Sequence, residues 1–104
     1  MISYKLELPD DFDDYAWEVE SKGWFSGGVA IFDGRRFRLA FYDPARLSQD
    51  IKDELNGGIV FFECNILIVK SVDRDHMEKA IAYIAETGKY TDMMEERIIE
   101  DRPR

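Results

Sequence analysis

Apolar and polar residues alternate from the first positions of the chain. Ile2, Tyr4, Leu6 and Leu8 are interleaved with Ser3, Lys5 and Glu7. A period of two puts one set of side chains on a buried face, so this segment predicts a half-buried strand that Pro9 ends. Residues 10–22 fit two periods. Phe12, Tyr15, Ala16 and Val19 make a helical stripe that Asp10 or Asp11 could cap, while Tyr15, Trp17 and Val19 fit a strand equally well. A short helix or irregular turn is preferred, with Gly23 as its break.

The next unit has a stronger signal. Trp24 to Phe32 and Arg36 to Tyr42 flank Asp33-Gly34. Such a two-residue loop accepts positive φ at both positions and so matches the twist of a hairpin. Phe37, Leu39 and Phe41 share one face of the second strand; Arg36, Arg38, Ala40 and Tyr42 share the other. Gly27-Gly28 predicts a bulge or a close backbone approach.

Asp43-Pro44 opens a helix, because a carboxylate can accept from the free amides and proline fits the first helical position. Leu47, Ile51 and Leu55 form its apolar line, and Gly57-Gly58 stops it. Residues 59–72 are the most apolar stretch, with ten of fourteen positions hydrophobic. Val60, Phe62, Cys64, Ile66 and Ile68 fall on one face, which predicts a central strand. The alternative is two strands with a turn near Glu63–Asn65, which lacks Gly or Pro support. Asp73 then caps a helix whose stripe is Met77, Ala80, Ile81, Ile84 and Ala85, and Thr87-Gly88 ends it. From Lys89 to Arg104 a short helix or strand is expected, with fraying near Pro103.

This order predicts an α+β fold: a two-layer sandwich of a mainly antiparallel sheet with two main helices packed on one face. The chain is 104 residues long and 45% hydrophobic, enough for one cored domain spanning 1–104 but not two.

Charge changes the picture. The chain holds 22 acids against 14 bases, a formal net charge of −8. Glu7, Asp10, Asp11, Asp13, Asp14, Glu18 and Glu20 are all acidic, with no base among residues 7–20. Removing those seven leaves fifteen acids against fourteen bases, so nearly all the excess sits in one stretch. An acidic protein repels phosphate, which argues against nucleic acid and anionic membranes as partners. One cysteine, Cys64, allows no internal disulfide and suits a reducing compartment. No opening segment has signal-peptide character and no apolar run has membrane-helix length, so a cytoplasmic location is expected.

The acidic stretch has a bland reading, a solvated charged face. Its self-repulsion and its neighbouring rings favour another, a surface for a basic partner. Asp10, Asp11, Asp13, Asp14, Glu18 and Glu20 would steer, with Tyr15, Trp17 or Trp24 as anchor. An EF-hand is excluded by the missing Gly and closing Glu. His76 and Cys64 are single residues of their kind, read as surface and buried-inert respectively, so no metal or cofactor site is expected. No phosphate loop or nucleophile elbow occurs, and no enzyme is inferred. The alternative is a ligand-binding or catalytic domain with a pocket near Glu63, Asn65 and Tyr42, since a carboxylate on an apolar strand needs solvent or a partner.

The Leu-Pro-Asp-Asp-Phe-Asp-Asp-Tyr-Ala-Trp-Glu-Val-Glu stretch at residues 8–20, the small size and the lack of a catalytic set give the chain a profile. It resembles the immunity proteins of bacterial toxin and contact-dependent inhibition systems. The resemblance implies a cytoplasmic protein that binds and neutralises a basic cognate toxin domain, such as a nuclease. It assigns no family residue to any position here.

Overall fold

The central hairpin forms where the Asp-Gly signal lies. In the computed structural model, which describes residues 2–96, β2 (Trp24–Phe32) and β3 (Arg35–Tyr42) pair antiparallel around Asp33 (φ 53°) and Gly34 (φ 79°). Between Phe25 and Gly28 the register shifts, because three steps on β2 oppose two on β3. A side chain at Gly27 would put a Cβ 2.8 Å from the Phe25 ring, so the bulge selects glycine there.

β1 (Tyr4–Glu7) pairs antiparallel with β2, and β4 (Ile66–Ile68) pairs parallel with β3. The sheet order is β1-β2-β3-β4, so β4 is an edge. Helices α1 (Phe12–Lys22), α2 (Pro44–Gly57) and α3 (Arg74–Thr87) complete the fold, with a 3₁₀ turn over Lys89–Asp92. The fold is α+β with a mainly antiparallel sheet, as expected.

Period-two alternation assigns the faces. Leu6, Ala30, Phe32, Phe37, Leu39 and Phe41 are buried on one of them. Phe12 and Val19 of α1, and Met77, Ile81, Ile84 and Ala85 of α3, pack into the same core. The Phe12 and Phe25 rings meet edge-on at 5.2 Å, and Tyr90 stacks on Phe32 at 5.4 Å to close the other end.

Membership of the helix layer differs from the sequence expectation. The core-packed helices are α1 and α3. No residue of α2 is fully buried, and Leu55 is exposed while Leu47 and Ile51 are half-buried. Arg46 of α2 lies over the Trp24 ring at 5.6 Å, and Trp24 and Tyr42 pair on the sheet face opposite Phe25. Thus α2 sits at the end of the second face.

The central strand expected over residues 59–72 is corrected. Only Ile66–Ile68 join the sheet, on its edge. Asn65 takes φ 54°, a left-handed conformation that asparagine tolerates, and this bend separates β4 from the residues before it. Ile59 and Phe62 are 97% and 79% exposed. Cys64, expected to be buried, is exposed. Apolar density reports a tendency to be buried but not whether the chain supplies a cover.

Two of the three predicted caps form, while Asp11 occupies the N-cap position of α1 without a side-chain cap hydrogen bond. Asp43 accepts from the Arg46 amide at 2.7 Å, and Asp73 from the His76 amide at 2.8 Å. Gly23 ends α1 at φ 72°, where a Cβ would overlap the Asp43 carboxylate. The expected short helix after Lys89 is the 3₁₀ turn, while the fraying expected near Pro103 lies outside the described residues.

Candidate functional site

The acidic stretch is ordered. Asp10 and Asp11 lie in the turn before α1, and Asp13 to Glu20 lie on the helix. Phe12 is fully buried and Val19 nearly so, which pins the helix to the core at both ends. Tyr15 departs from helical geometry (φ −131°, ψ 19°) and kinks it. The dipole contributes too, since Asp13 and Asp14 occupy the positive first turn.

The charged face then follows from which positions are buried. Asp10, Asp11, Asp13, Asp14, Glu18 and Glu20 are all exposed. Asp13 accepts from Arg74 at 3.0 Å, and Glu18 lies 3.9 Å from Lys22. Glu20 accepts only a 3.3 Å hydrogen bond from Ser71. Asp10, Asp11 and Asp14 have no ion pair among the described residues. Trp17 is 69% exposed on the same helix, one position from Glu18 and one helical turn from Glu20.

The other two rings are placed differently. Tyr15 is half-buried and meets Phe12 edge-on at 5.7 Å, so much of it serves the core. Burial, then the Asp11 charge, pushes its phenol above the ordinary range. Trp24 lies on β2 under the Arg46 guanidinium, facing away from the core that α1 covers. Glu7 is also apart, held on β1 by Arg36 at 3.1 Å. The six carboxylates are thus all exposed on α1 or in the turn before it, the same helix exposes Trp17, and Trp24 lies on another face.

The alternative pocket is divided. Glu63 is shared by two clefts. One, of about 630 Å³, also takes in Arg38, Cys64, Asn65 and Met94; the other, of about 480 Å³, takes in Tyr42, Asp50, Glu54 and Phe62. Tyr42 and Asn65 thus do not line the same space. The Asn65 amide is occupied as a clasp: its Nδ2 donates to the Arg38 and Met94 carbonyls at 2.9 and 2.7 Å, and its Oδ1 accepts from the Met94 amide at 2.8 Å.

The partner of Glu63 is Tyr42, whose hydroxyl donates to Glu63 Oε1. Arg36 and Arg38 lie near Glu96, at 3.7 and 3.9 Å. Burial first, then the Glu63 hydrogen bond and the charges of Glu63 and Asp50, pushes the Tyr42 phenol up to about 12. Such a tyrosine donates at neutral pH and does not act as a base. His76 directs Nδ1 at Asp73, 2.8 Å away, and completes the cap. Among the described residues, no group of three His, Cys, Asp or Glu side chains could hold a metal ion. No helix among them is long and apolar enough to cross a membrane.

The exposed Ile59, Val60 and Phe62 were missed as surface in the sequence, because the density that marks them also marks a core strand. In the comparisons with known proteins, no family model, curated protein or solved structure matches the chain.

Proposed function

We propose that this protein binds and neutralises a basic partner, in the manner of a bacterial immunity protein acting on a cognate toxin domain such as a nuclease. The supporting observation is an ordered helix that presents Trp17, 69% exposed, among carboxylates that are largely unpaired. A buried Trp17 would explain itself as core, whereas an exposed one on a rigid, charged helix has the form of an interface anchor. Long-range attraction speeds encounter, and desolvation of the indole lengthens the complex's lifetime. On this reading the protein works in the cytoplasm of a bacterium and performs no reaction itself.

The test is co-expression with a toxin domain encoded directly upstream of its gene. Restored growth that is lost when Trp17→Ala is combined with Asp10→Asn, Asp11→Asn and Asp14→Asn supports the reading. Rescue that survives all four changes overturns it.

A second reading has its own observation. The open space of about 630 Å³ beside Glu63, with Arg38 and Glu95 at its walls, suits a small polar ligand. Binding that is lost in Glu63→Gln would favour it.

A further inference from the structure

The densest group of exposed apolar side chains lies on neither α1 nor the core helices. Leu55, Ile59, Val60 and Phe62 fall within eight residues and are 50%, 97%, 60% and 79% exposed. Ile68, on the free edge of the sheet, is 57% exposed. Apolar groups of this kind, rimmed by polar residues, mark interaction sites more often than idle surface.

The rim has a definite sign. Beside the apolar group is the cleft of about 480 Å³, walled by Val60, Phe61 and Phe62 and lined by the carboxylates of Asp50, Glu54 and Glu63. Arg46 engages Asp50 at 2.9 Å, and the Tyr42 hydroxyl takes one oxygen of Glu63. Glu54 and the other Glu63 oxygen have no side-chain partner among the described residues. Residues 50–63 hold four acids, with Asp53 the fourth, against one base, Lys52.

We infer that this surface docks a segment of a partner protein in which Arg or Lys side chains alternate with apolar ones. The cation enters the acidic cleft and meets Glu54 and Glu63, where a planar guanidinium can also lie against the Phe61 and Phe62 rings. The apolar side chains cover Ile59, Val60 and Phe62. Charge complementarity selects this occupant. A second copy of the chain brings its own −8 charge, and an anionic lipid surface is repelled. The surface is distinct from Trp17 and needs none of the α1 residues, so it stands whether or not α1 binds a partner.

The probe is a labelled peptide alternating Leu and Arg, compared with a Leu/Glu and a Ser/Arg peptide of equal length. Each is titrated into the isotope-labelled protein and followed by amide chemical shifts. The Leu/Arg peptide is expected to shift residues 54–63 and to bind at least about tenfold more tightly than either control, since both charge and burial contribute. Phe62→Ser and Glu54→Gln each weaken it by about fivefold or more, the scale of a truncated interface anchor. Both side chains are exposed, so the variants keep the fold. The shifts at residues 54–63 persist in Trp17→Ala, which separates the surface from α1. Equal binding of the Leu/Glu peptide, shifts confined to α1, or a concentration-dependent dimer abolished by Phe62→Ser would each overturn the inference.

Discussion

Arg74 donates to the Asp13 carboxylate at 3.0 Å while its guanidinium lies 5.4 Å from the centre of the Phe12 ring. One side chain from α3 thus ties down both a buried and an exposed residue of the first turn of α1. An exposed ion pair and a cation–π contact contribute about 1 kcal/mol together. Arg74→Gln is therefore expected to lower stability by about that much in urea denaturation. It also frees Asp13, so a basic partner should associate faster with this variant than with the native protein.

Phe12 and Trp17 lie five positions apart and should behave oppositely. Phe12 is fully buried, so Phe12→Ala is expected to cost about 3–5 kcal/mol and leave the protein close to unfolding. Trp17 is exposed, so Trp17→Ala should change stability by no more than about 0.5 kcal/mol. The same Trp17 change should shorten the life of a partner complex. Urea melts and dissociation rates check the pair.

Tyr42 gives a prediction in alkali. An unfolded tyrosine ionises near 10.0, whereas Tyr42 in the fold keeps its proton up to about 12. The folded state binds that proton more tightly. The stability this contributes is complete below pH 10.0 and is lost as pH rises through about 12. Ultraviolet titration of the five tyrosines should show a last step near 12 that disappears in Tyr42→Phe, while the delay of Tyr15 remains. In Glu63→Gln the same step should move to lower pH, because an acceptor and a negative charge are weakened or lost.

Asp73 gives the opposite sign in acid. Burial opposes its ionisation, but the His76 amide, the His76 ring and Ser71 together outweigh it and hold its carboxyl below the ordinary 3.8. The stability gained is present above pH 3.8 and is lost as pH falls through the lowered folded value. Asp73→Ala should cost about 1 kcal/mol at neutral pH, the usual effect of removing a helix cap. Its loss of stability in acid should be shallower than that of the native protein.

Local chemistry was the legible part of the fold. Asp33-Gly34, Asp43-Pro44, Asp73 and Gly27-Gly28 each act through their own backbone and near neighbours, so turn, caps and bulge could be read in place. Residues 59–65 could not, because burial of Ile59 or Phe62 depends on what the rest of the chain brings to cover it. The bend at Asn65 was hidden for a related reason: its amide is committed to Arg38 and Met94, 27 and 29 positions away. Of the candidate site, the charge and the core-facing Phe12 and Val19 were legible. That Trp24 points to the opposite face follows from the bulge and hairpin register, which fix parity only once the strands are paired.

Steering of a basic partner by the α1 carboxylates is the central claim. It is measured most directly as the association rate constant with a basic toxin domain of the proposed kind, over a salt series, for the native protein and the Asp10→Asn, Asp11→Asn, Asp14→Asn variant. The account predicts a native rate that falls by about tenfold or more with added salt. The variant should be slower at low salt, flatter in slope, and equal to native at high salt. An unchanged rate and an unchanged salt slope in the variant would contradict it.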